Sequence, residues 1–138
     1  MFIGLDLGTS GLKAIAIGDD QTVLAEANAA LQAHRRHDGW SEQDPQDWLV
    51  ALDQAMRALG AQVDLGKVQG IGLSGQMHGA TVLDADDHPL YPCILWNDTR
   101  SSAEAAALDA NPAFRAQTGN IVFPGFTAPK INWLAAHE

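Results

Sequence analysis

Phe2-Ile3-Gly4-Leu5-Asp6-Leu7, then Gly8-Thr9-Ser10-Gly11, then Leu12-Lys13-Ala14-Ile15-Ala16-Ile17: these sixteen residues decide how the chain begins to fold. Two apolar runs of strand length flank a four-residue segment with glycine at each end, which predicts a tight hairpin. Asp19-Asp20 supplies the next turn. Val23 to Leu31 then reads as a third strand, although its alanines are weak strand formers. Strands joined by turns this short predict an antiparallel meander.

Further along, Asp44-Pro45-Gln46-Asp47 is a helix start. Asp44 caps free amides, Pro45 suits the first helical position and Asp47 complements the positive helix end. Trp48, Leu49, Leu52, Met56 and Leu59 recur at helical spacing, and Gly60 is expected to stop the run. Val68 to Leu73 and Ala80 to Leu83 read as strands, the latter closed by a turn at 84–87, with Ile94-Leu95-Trp96 a short extended segment. Thr99 or Ser101 is expected to cap an alanine-rich helix through Leu108. Pro124-Gly125 reads as loop, and Lys130 to His137 as a last helix. The order of elements predicts an α/β fold with a mixed sheet.

With 138 residues, 46% of them hydrophobic and 18% charged, the chain has the composition of an ordinary globular domain. Its formal net charge of −9 repels nucleic-acid phosphates and anionic membranes, so neither is expected as a partner. A phosphorylated ligand must then be gripped locally, by backbone amides, a metal ion or a few basic side chains. Cys93 is the single cysteine, which rules out an internal disulfide and fits a reducing compartment. The start of the chain lacks the basic leader of a signal peptide, and no apolar run approaches the roughly 20 residues that span a bilayer. The expected location is cytoplasmic.

Three segments carry candidate chemistry. In the hairpin, the glycines allow close approach to an anion, Thr9 and Ser10 offer hydroxyl and amide donors, Lys13 adds a positive charge, and Asp6 can hold a hydrated Mg²⁺. The spacing is not that of a Walker A loop, and a strand follows it, not a helix. A plain glycine-rich hairpin reads equally well from these residues alone. In the second segment, 72–79, Gln76 and His78 can bond the hydroxyls of a polyol while Met77 packs on its carbon face. A turn with a partly exposed histidine is the competing reading. In the third, Trp96-Asn97-Asp98-Thr99-Arg100 offers an aromatic platform beside polar groups, or a core tryptophan with Asn97-Asp98 capping a helix. The basic run His34-Arg35-Arg36-His37 reads as solvated surface, and His88 as an exposed side chain.

Taken in order, these segments resemble a known family. Asp6 to Lys13 is similar to the first phosphate motif of the sugar-kinase, actin and Hsp70 superfamily, whose fold is ribonuclease H-like. Segments 40–45, 75–79, 94–98 and 125–130 narrow the resemblance to the FGGY carbohydrate kinases, in the branch acting on D-xylulose. The resemblance implies ATP-dependent phosphorylation of D-xylulose to D-xylulose 5-phosphate, with ATP and Mg²⁺ as cofactors. By position it assigns Thr9, Ser10, Gly11 and Lys13 to the nucleotide phosphates and Asp6 to the metal. Gln76, Met77, His78, Trp96, Asn97 and Asp98 fall to the sugar. Glycerol-specific members carry Arg-Glu where Met77-His78 stand, which argues against glycerol.

Members of this family run to several hundred residues in two domains. Residues 1–138 are therefore expected to form the amino-terminal part of the first domain. The general-base aspartate and the adenosine-binding domain are expected beyond position 138, leaving the chain inactive alone. Kinases of ribulose, gluconate or glycerol and a non-catalytic sugar- or nucleotide-binding module are the alternatives, and a homodimer is the candidate assembly.

Overall fold

The computed structural model describes residues 1–138 and divides them into two units. One comprises Met1–Ala33 with Asp44–Gln76, the other His34–Gln43 with Met77–Glu138.

In the first unit the hairpin forms as its sequence predicts. Strand β1 (Phe2–Leu7) pairs antiparallel with β2 (Gly11–Ile17), and β2 with β3 (Val23–Ala30). Ala25, Ala27 and Ala29 are buried on β3, alternating with exposed Glu26 and Asn28. Their small size is what the fold uses. Helix α1 (Pro45–Gly60) packs against β2 and β3 and meets them with its own alanines, Ala51 and Ala55. Tertiary packing here overrides the weak strand preference of alanine.

Asp44 caps α1 as expected, its carboxylate accepting the Gln46 amide at 2.9 Å, with Pro45 in the first turn. Loss of such a cap costs about 1 kcal/mol, so Asp44→Ala should lower unfolding stability by about that amount in a urea titration. Trp48, Leu52, Met56 and Leu59 face the core, but Leu49 is 60% exposed and does not belong to the stripe. Gly60 still lies within the helix; the end falls at Ala61, in ordinary right-handed geometry.

After a short 3₁₀ turn (Leu65–Lys67), β5 (Gly70–Gly75) pairs parallel to β1, giving the order β3-β2-β1-β5. The mixed sheet expected from the sequence is thus present. Ile71 pairs with buried Ile3, and Leu73 with half-buried Leu5, yet both β5 side chains are exposed on this edge strand.

The second unit is built from shorter pieces. Strand β4 (Glu42–Gln43) pairs with β6 (Cys93–Ile94), and α2 (Ser102–Asp109), α3 (Pro112–Thr118) and α4 (Thr127–His137) follow. Ala80, Ile94 and Trp133 form its buried centre, with Trp40, Tyr91 and Leu134 packed around them. The strand expected at Ala80–Leu83 is reduced to two isolated bridges, Ala80 with Ile94 and Leu83 with Pro89. Pro89 and Pro92 lack the amides a ladder requires. Ser101 occupies the cap position of α2, but its hydroxyl donates to the Pro124 carbonyl and accepts from no helix amide. Helix α3 was not expected. Asn111 caps it, Pro112 opens it and Gly119 closes it at φ 67°, so its signal stood in the sequence. No helix is long and apolar enough to cross a membrane.

Candidate functional site

In the first unit, pairing register places the candidate phosphate residues. Asp6 lies opposite Lys13 on β2 and opposite Ser74 on β5, so these side chains rise from the sheet face that α1 does not cover. With Glu26 and Asn28 of β3 they border a groove of about 490 Å³, to whose lining Gly4 and Gly72 add only backbone beside Leu5, Ile15 and Leu73. Asp6 and Lys13 are exposed, and neither forms an ion pair or side-chain hydrogen bond within the chain. A lone exposed carboxylate suits Mg²⁺, which keeps most of its waters and takes one or two protein carboxylates plus phosphate oxygens.

Between the strands the Gly8 amide donates to the Gly11 carbonyl at 3.0 Å, leaving Thr9 and Ser10 at the tip of the turn. Ser10 is exposed and Thr9 half-buried. Gly11 has a local reason to be glycine, because a β-carbon there would lie 2.7 Å from the Ala29 carbonyl oxygen of β3. The Thr9 hydroxyl donates to Gln76 Oε1 at 3.0 Å. Gln76 thereby ties the end of β5 to the hairpin, a role that sequence reasoning did not give it.

In the second unit, Met77, His78 and Trp96 are exposed. His78 adopts φ 60°, in the left-handed region that non-glycine residues rarely occupy. Its ring lies 4.8 Å from that of Phe126. Asn97 is half-buried, and its side-chain oxygen is enclosed without a hydrogen-bond partner. It borders a hollow of about 200 Å³ with Arg35, His37, Asp38 and Trp40, so part of the basic run read as plain surface lines a recess.

Asp98 behaves differently from the expectation that it lines a sugar cleft. Fully buried, it accepts from Arg100 Nε at 3.0 Å and Arg100 Nη2 at 2.7 Å, and from the Ser41 and Arg100 amides. Arg100 Nη1 donates to buried Glu42 at 2.7 Å, and its guanidinium lies 3.6 Å from the Trp40 ring centroid and 5.1 Å from that of Trp133. Burial disfavours the Arg100 charge, but the hydrogen bonds it donates to Asp98 and Glu42 outweigh this and hold the guanidinium's pKa above its usual value.

Lys130 is also fully buried. Its ammonium donates to the carbonyls of His78 and Gly125, both at 2.7 Å. Burial pushes its pKa down to about 8, against the pull of Asp98. Glu42 and Asp98 balance Arg100 and Lys130, so the interior of this unit holds two acids and two bases. Neither Arg100 nor Lys130 was marked for this role in the sequence, since nothing local to either position distinguishes a buried cation from a surface one.

With this geometry in hand, the protein class is clear. The chain belongs to the FGGY family of carbohydrate kinases, whose N-terminal domain matches residues 1–138. It is 50% identical over its whole length to the xylulose kinase of Escherichia coli K12 and 51% identical to that of Klebsiella pneumoniae, and it spans 29% of each. A crystal structure of a xyloylose kinase from Brucella ovis superposes with a TM-score of 0.95 at 59% identity, covering 99% of this chain and 29% of that one.

Proposed function

We propose that this chain forms the amino-terminal part of a kinase that transfers the γ-phosphoryl group of ATP to D-xylulose, yielding D-xylulose 5-phosphate and ADP. The observation that carries this reading is the placement of Asp6 and Lys13 on the uncovered sheet face, beside the Thr9-Ser10 tip and committed to no partner in the chain. Similarity to xylulose kinases supplies the substrate.

In this reading Asp6 would hold a hydrated Mg²⁺, which when bound would supply positive charge to the terminal phosphates. The hairpin amides of Thr9, Ser10 and Gly11 and the Ser10 hydroxyl contact the phosphates, and Lys13 adds a cation. Met77 packs on the carbon face of the sugar, while His78 bonds its hydroxyls and the Asn97 side chain lies beside them. Trp96, 46% exposed, offers the aromatic platform. Asp98 holds the Trp96–Arg100 segment in place through Arg100 and Ser41, without touching sugar. The general base is assigned to residues beyond position 138, so residues 1–138 alone have no turnover.

The test is direct. The longer kinase should phosphorylate D-xylulose with ATP, whereas turnover of ribulose, gluconate or glycerol in its place would overturn the substrate assignment. Within that enzyme, His78→Ala should lower kcat/KM for xylulose by about 1–3 kcal/mol, the scale of a lost hydrogen bond in a polar site. Unchanged kinetics would return His78 to the status of a turn residue.

A further inference from the structure

We propose that Lys130 is a positioning residue for the sugar site: its buried ammonium, gripping the carbonyls of His78 and Gly125, fixes the loop that presents Met77 and His78. This rests on the reading of that loop as sugar-binding.

Three observations converge on it. Lys130 is fully buried in α4, yet its two hydrogen bonds, each 2.7 Å, go to backbone carbonyls of loops and not to a carboxylate. One of those carbonyls belongs to His78, whose φ of 60° places it in a backbone region that persists only where the surroundings enforce it. The other belongs to Gly125, so close to the Trp96 carbonyl that a β-carbon would collide with it. A single ammonium therefore links the segment of Met77 and His78 to the segment that abuts Trp96. Phe126, next in sequence to Gly125, lies against the His78 ring. A fully apolar side chain at 130 would fill similar space but leave both carbonyls unbonded. The loop could then relax away from the left-handed geometry.

The experiment compares Lys130→Gln and Lys130→Met with wild type in the longer kinase. The expected result is a KM for sugar raised at least tenfold with the KM for ATP within twofold. Lys130→Arg, which keeps charge and donors, should recover part of the loss. A purely structural role would lower the melting temperature and the active fraction while leaving the sugar KM alone. A sugar KM within twofold of wild type in either folded neutral variant overturns the proposal.

Should neither neutral variant fold, the wild-type enzyme decides. Burial pushes the Lys130 pKa down to about 8, so between pH 7 and pH 9.5 its two bonds pass from a charged to a weaker neutral donor; the sugar KM should rise at least twofold over that range, and a flat sugar KM would overturn the proposal. The charged and titratable groups facing it are Asp98, Arg100 and Cys93; the guanidinium's pKa is held above its usual value by its bonds to Asp98 and Glu42, and burial pushes the Cys93 thiol up. A wild-type kinase inert on D-xylulose would defeat the functional reading instead, and the same comparison, run on the sugar it does turn over, still tests Lys130.

Discussion

Arg100→Met is expected to destabilise the second unit by about 3–5 kcal/mol, the scale for removing one partner of a buried ion pair. Asp98 and Glu42 are respectively 0% and 2% exposed, and each places a carboxylate oxygen 2.7 Å from the guanidinium. Without Arg100 two buried carboxylates lose their closest counter-charge, leaving Glu42 only the exposed Arg36 at 3.9 Å and Asp98 only the more distant pull of Lys130. The Trp40 ring also loses the planar cation stacked on it. Lysine should rescue only partly, because one ammonium cannot reproduce the two-pronged contact with Asp98 while also reaching Glu42. Urea unfolding followed by tryptophan fluorescence measures the loss. A change below about 1 kcal/mol, the usual worth of an exposed pair, would mean the network is not desolvated as described.

Asp6→Asn in the longer kinase should reduce kcat for xylulose by about 100-fold or more, since metal stabilisation of transferring phosphoryl charge is worth several kcal/mol. The substitution keeps size and removes the charge proposed to attract the metal. Asp6 is exposed and makes no side-chain hydrogen bond or ion pair, so the unfolding midpoint should stay near wild type. That contrast separates a site residue from a structural one. Retained turnover at ordinary Mg²⁺ concentration would remove Asp6 from the metal site.

The first unit was largely legible because its signals are local. Alternating apolar residues, a glycine-flanked turn and an Asp-Pro helix start set β1, β2, β3 and α1 with bounds close to those expected. Leu49 misled because it sits at helical spacing from Leu52 and Met56, yet only tertiary packing shows that the core stripe runs instead through Ala51 and Ala55. The second unit was harder to read. Its strands are two residues long, and its interior is organised by ion pairs between positions such as 42 and 100, a separation no periodicity encodes. Asp98 shows the limit plainly. An Asn-Asp pair beside a tryptophan has the composition of a sugar site, but burial gave the carboxylate to Arg100 and Ser41. Asn111-Pro112 with Gly119 was readable and overlooked, a capping signal on a helix too short to show a stripe.

The alanine contact between α1 and the sheet sets a mechanical limit on the first unit. Ala16 and Ala55 are both 0% exposed, so the spacing there is fixed by methyl groups and has no slack to take up a larger side chain. Enlarging either one would act as a shim, at about 1–3 kcal/mol for overpacking, and would tilt β2, the strand that carries Gly11 and Lys13. The tolerance of the proposed phosphate-binding face to alteration is therefore governed from the opposite face, by residues placed in no site.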